Sequence, residues 1–89
     1  MKELIWDEWN LNHIKKHKVY KNEVEEAFYS KVYEGEIYSR RKIIFGKTNK
    51  GRLLIIIISF LKQKNPYVVS ARDMNKKERR IYYEKTKTD

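Results

Sequence analysis

The chain contains no cysteine. That removes disulfides and thiolate metal sites as ways of reinforcing a small fold, and it agrees with a reducing, cytoplasmic setting. Proline occurs once and glycine three times, and no linker, internal repeat or low-complexity segment interrupts the pattern. Long apolar runs are missing too. The longest, Leu53 to Ile58, is far too short to cross a bilayer, and Met1 to Asp7 lacks the apolar stretch of a secretion signal, so a soluble protein is expected. At 89 residues there is room for a single domain spanning 1–89, with a stability margin that is thin or shared with a partner.

Negative charge is scarce in one part only. The whole chain carries 21 Lys and Arg against 12 Asp and Glu, a formal +9. From Met1 to Glu36 six lysines face eight acidic residues, whereas from Ile37 to Asp89 fifteen basic residues face four acidic ones. The excess therefore belongs to the C-terminal part. A polyanion is the natural partner of such a surface, because phosphate contacts release counterions and the summed field draws the ligand in. A basic surface that serves only solubility remains the alternative.

What is present divides into two unlike patterns. Lys2 to Trp6 reads as a short strand, and Asp7 as the N-cap of a helix reaching Lys16 or His17. On that helix Glu8, Asn12, Lys15 and Lys16 share one face, and Trp9, Asn10, Leu11, His13, Ile14 and His17 spread over the other. Asn22 with Glu25 opens a second helix whose apolar stripe is Val24, Ala27 and Phe28. Strands follow over Val32 to Tyr38, Lys42 to Lys47, Arg52 to Leu61 and Tyr67 to Arg72. The third is apolar on both sides, which marks it as central. A tight hairpin is expected at Thr48 to Gly51 and a second turn at Lys62 to Asn65. Asn75 with Glu78 starts a closing helix, and Lys85 to Asp89 reads as a frayed tail. The fold class is α+β: two N-terminal helices and a C-terminal helix on a four-stranded antiparallel sheet.

Several chemistries lack their residues. Gly46-Lys47-Thr48 resembles the end of a phosphate-binding loop, but Arg41 stands where the first glycine would be. His13 and His17 lie four apart without the glutamate or cysteine partners of a zinc site, so no metal or other cofactor is expected. No nucleophile elbow is present. What remains is cationic. Arg52 begins the central strand, Arg72 ends its neighbour, and Arg79 lies early in the last helix. Antiparallel pairing is expected to bring Arg52 and Arg72 close together. In RNA cleavage the 2′-hydroxyl attacks the adjacent phosphate, and guanidinium forks meet the charge that builds on its oxygens. His17, His13, Tyr82 and Lys47 are the side chains able to carry the proton. The competing readings are arginines paired with Glu34 or Glu36, and histidines packed between helix and sheet.

Trp6-Asp7-Glu8, Asn10, Lys16-His17, Val19, Glu23-Val24, Gly46, Thr48, Gly51-Arg52, Val69-Ser70-Ala71-Arg72, Glu78-Arg79 and Tyr82 occur in an order and with gaps that resemble BrnT toxins over nearly the whole chain. That family is similar in fold to the RelE class of ribonuclease toxins. The resemblance implies metal-independent RNA cleavage that inhibits translation in a bacterial cell. It also implies neutralisation by a BrnA-like antitoxin, whose ribbon-helix-helix part binds operator DNA. Arg52 and Arg72 become the active-site arginines on this basis, with His17, Arg79 and Tyr82 beside them. One departure is visible: Lys18 stands where the family carries a helix-capping glycine. Lysine costs more than glycine in a left-handed conformation, so a different helix end is expected. A non-catalytic RNA- or DNA-binding regulator would explain the basic part equally well. Neither a helix-turn-helix nor the aromatic pattern of a single-strand-binding sheet can be read, however. A purely structural interaction module explains the three arginines least well.

Overall fold

The computed structural model describes residues 3–60 and 65–87. Its elements are α1 (Glu8–Lys15), α2 (Lys21–Tyr29), β1 (Tyr33–Ile37), β2 (Arg41–Lys47), β3 (Leu53–Ser59), β4 (Tyr67–Asp73) and α3 (Lys76–Thr86). The strands form one antiparallel sheet in the order β1-β2-β3-β4. The alternation of β3 decides how the layers stack. Leu54, Ile56 and Ile58 are buried with Ile14, Val19, Val24, Ala27 and Phe28 beneath α1 and α2. Ile55 joins Phe45, Met74 and Tyr82 on the opposite face, where α3 lies. A strand apolar on both sides thus has helices on both sides, as its pattern requires. Among the described residues no helix is long and apolar enough to cross a membrane.

The caps explain where the helices begin. Asp7 Oδ1 accepts from the Asn10 backbone N–H at 2.9 Å, and Asn10 Oδ1 accepts from that of Asp7 at 2.9 Å. Asn10 is fully buried, and its amide nitrogen donates to the carbonyls of Ile5 and Val68. One side chain therefore ties the N-terminal segment, α1 and β4 together. Asn75 and Glu78 form the expected reciprocal cap on α3, at 2.8 and 2.9 Å. At the Thr48–Gly51 hairpin, Gly51 takes φ 92°. The nearly buried Thr48 accepts from the Arg52 backbone N–H through its hydroxyl at 3.0 Å. Gly46 has a different role from the loop glycine its sequence context resembles: a Cβ there would strike the backbone carbonyl of Ala27, so it lets α2 approach β2.

The differences from expectation have local causes. The segment before α1 makes only an isolated parallel bridge, Ile5 to Tyr67, rather than a strand. Met1 and Lys2 lie outside the described residues. Helix α2 starts at Lys21, with the Glu23 carboxylate accepting from the Tyr20 backbone N–H at 3.1 Å, so Asn22 is inside the first turn. Glu25, expected to cap, instead accepts from the Trp6 indole N–H at 3.1 Å. Strand β3 is described to Ser59, and Leu61 and the turn residues Lys62, Gln63 and Lys64 lie outside the described residues. The C-terminal helix continues through Lys85 to Thr86, where a frayed tail was expected; Thr88 and Asp89 are outside the described residues. Finally, α1 ends as it would with glycine. Lys18 adopts φ 59°, and the Lys18 and Val19 backbone N–H groups donate back to the carbonyls of Lys15 and Ile14.

Candidate nucleic-acid interface

The end of β4 lies beside the start of β3, where the C-terminus of α1 and the N-termini of α2 and α3 also meet. Arg52 is the centre of this rim. Its Nε and Nη2 donate to the Asp73 carboxylate at 2.7 and 3.1 Å. Its Nη1 donates to the Lys18 carbonyl at 2.7 Å and to Glu23 at 3.1 Å, and its Nη2 also reaches the His17 carbonyl at 3.4 Å. All the donors of the guanidinium are therefore engaged. The bond to Asp73, and after it the one to Glu23, raises the Arg52 pKa, and reciprocally the bond from Arg52 holds the Asp73 carboxyl below its usual range.

Arg72 belongs to the other side of the sheet. It pairs in register with Ile55, whereas Asp73 pairs with Leu54. Side chains alternate faces along a strand, so Arg72 points to the α3 side and Arg52 to the α1 and α2 side. The two arginines expected to share a constellation are neighbours along the rim but do not converge. Arg72 donates to both oxygens of Glu78 at 2.8 Å and to the Asp73 carbonyl at 3.1 Å. Its Nε and one Nη2 hydrogen remain available. The bond from Arg72 lowers the Glu78 pKa, as does the bond from the Asn75 backbone. The arginine partners are Glu23, Asp73 and Glu78; Glu34 pairs with Lys42 instead, at 2.8 Å.

The remaining candidates scatter. Arg79 is exposed and makes no side-chain hydrogen bond among the described residues, though its charge reaches Asp73. It continues into an exposed basic face of α3 made by Lys76, Lys77 and Arg80, alongside the exposed Tyr83. Tyr82 is buried among Phe45, Ile55 and Met74, where it anchors α3. Lys47 is exposed at the end of β2. The histidines are not helix-sheet packing groups. Only Asn10 and Ile14 of α1 are buried; His13 is half-buried behind Trp9, which is 57% exposed, and His17 is exposed in the turn that follows the helix.

Two features escaped the sequence. The carboxylates that neutralise the rim stand next to the arginines only once the register is known, although an odd separation of Arg52 from Ile55 already implies opposite faces. The outward Trp9 was assigned to the packed face because tryptophan is apolar, yet its position one residue before the buried Asn10 turns it away from the sheet. Comparison with protein-family models, with curated proteins and with solved structures found no match to this chain.

Proposed function

We propose that this chain is an RNA-directed toxin of the BrnT type with a RelE-like architecture, neutralised by a BrnA-like antitoxin that carries the operator-binding ribbon-helix-helix. The observation that carries the reading is the unpaired basic face of α3, Lys76, Lys77, Arg79 and Arg80, beside an Arg72 whose fork still has donors to offer. Phosphates are the ligand such a face suits. In the catalytic form of the reading, a 2′-oxygen attacks the adjacent phosphorus and the 5′-oxygen leaves with a proton, giving a 2′,3′-cyclic phosphate. Arg72 and Arg79 meet the phosphoryl oxygens. Arg52 holds the rim together instead of touching substrate.

A second reading, RNA binding without cleavage, is favoured by one specific observation. Tyr82 is buried, and the exposed His17 follows the end of α1, across the sheet from Arg72, so among the described residues no histidine stands beside the available guanidinium. The test is induced expression of the chain alone, followed by incubation of purified protein with RNA, with and without ribosomes. Growth arrest relieved by Arg72→Ala and Arg79→Ala, together with cyclic-phosphate ends on the RNA, supports cleavage. Arrest without cleaved RNA supports the binding form. No arrest and no RNA binding would overturn both.

A further inference from the structure

We infer that the outer ridge of α1, formed by Trp9, His13 and His17, is a stacking subsite for unpaired RNA; this rests on the RNA reading above and names single strands as its ligand. The ridge is built, not incidental. The Trp9 ring stacks on His13 with centroids 4.8 Å apart and planes 8° from parallel, and His13 meets His17 edge to face at 6.0 Å. His13 thus holds one face of the indole, and the other is presented to solvent. Trp9 and His13 stand four residues apart on one stripe of α1, and His17 follows in the turn just past its end. The two centroid steps, 4.8 and 6.0 Å, make the ridge at most about three stacked-base spacings of ~3.4 Å long. Any base offers a flat face to such rings.

Charge selects the occupant. From Glu8 to Lys21 four exposed lysines, Lys15, Lys16, Lys18 and Lys21, stand against Glu8 alone, although the N-terminal part as a whole is acidic. Lys16, seven residues after Trp9, lies on the same stripe. A protein partner covering an apolar patch has no need of this ring of lysines, whereas a phosphate backbone does. The ridge also ends at the rim, because Arg52 holds the His17 carbonyl at 3.4 Å. An A-form duplex keeps its bases stacked inside and offers no face to the indole except at its ends.

The experiment measures binding of a short oligouridylate, a short oligoadenylate and a blunt RNA duplex to the wild-type chain, Trp9→Phe, Trp9→Ala and Lys16→Ala, over a series of salt concentrations. Wild type should prefer both single strands to the duplex. Trp9→Ala should weaken single-strand binding about tenfold with the salt slope unchanged, and Trp9→Phe should restore most of it. Lys16→Ala should instead reduce the salt slope by about 0.7. Circular dichroism and melting of Trp9→Ala should match wild type, since the ring contributes nothing to the core. If wild type binds single strands and Trp9→Ala binds them equally well, the subsite is wrong while the RNA reading stands. If Trp9→Ala loses only capture of the antitoxin, the ridge is a protein-docking surface and the inference falls. If wild type binds none of the three RNAs, the RNA reading and the inference fall together.

Discussion

Arg52 offers five N–H donors, and the fold takes all of them for two carboxylates and two carbonyls at the end of α1. A cation so engaged could bind phosphate only by releasing Glu23 or Asp73, and the bonds released are charge-assisted ones. Arg52 is therefore a joint between α1, α2 and β4. Arg52→Lys keeps the charge but not the planar fork, so it should lower stability by about 2 kcal/mol, seen as a reduced urea midpoint with the slope unchanged. RNA affinity per folded molecule should stay near wild type. A variant that melts normally but loses RNA would reverse the assignment. Lys18 illustrates the opposite situation, a side chain in a place that suits glycine. It closes α1 at φ 59° and keeps both capping bonds. Left-handed backbone costs a residue with a Cβ about 1–2 kcal/mol, part of which glycine gives back through its freer unfolded chain. Lys18→Gly should accordingly raise the melting temperature by about 4 °C.

At the scale of elements, the fit between α2 and β2 turns on Gly46. A methyl group there meets the Ala27 carbonyl, which belongs to a helix already seated by Val24, Ala27 and Phe28. The helix cannot yield without opening the main core. Gly46→Ala should thus cost about 3 kcal/mol, read as a fall in the unfolding midpoint, and a neutral substitution would show that α2 slides freely on the sheet. The same contact shows why some of the fold was legible and some was not. The unbroken apolar run from Leu53 to Ile58, apolar on both sides, identified the central strand, and the Asp7 and Asn75 caps located two helices, because those signals are local. Hydrogen bonds made by Asp7 and Asn75 reach only three residues along the chain. The start of α2 was misplaced because two glutamates compete for the capping role and a long-range contact, Trp6 to Glu25, removes one of them. The candidate site was less legible still. Which face Arg72 takes depends on its register against β3, and which carboxylate it meets depends on where α3 settles; neither is written near Arg72 itself.

For the whole molecule, the basic excess of the C-terminal part does not translate into a bare cationic rim, since Glu23, Asp73 and Glu78 stand against Arg52, Arg72 and Arg79 there. Those ion pairs set how the protein responds to acid. Hydrogen bonds from Arg52 and Arg72 depress the carboxyl pKa values of Asp73 and Glu78 below their ordinary range. A depressed folded value means that the unfolded chain binds protons first as pH falls, so the stability these groups contribute is present above the ordinary carboxylate range and is lost below it. Melting temperature should be nearly flat above about pH 5 and fall below about pH 4. The loss should not be uniform across the molecule. The α3 side has the smaller core, with Phe45, Ile55, Met74 and Tyr82 buried, against twelve buried residues beneath α1 and α2. Glu78 both caps α3 and pairs it to Arg72, so protonation loosens the helix at its start. Hydrogen exchange at acid pH should accordingly expose the amides of α3 before those of β2 and β3. Glu78→Gln should bring that loosening to neutral pH and flatten the acid limb of the melting curve. Simultaneous loss of protection in α3 and the central strands, at every pH, would mean that the two faces of the sheet unfold as one unit and that the Glu78 pair holds no element of its own.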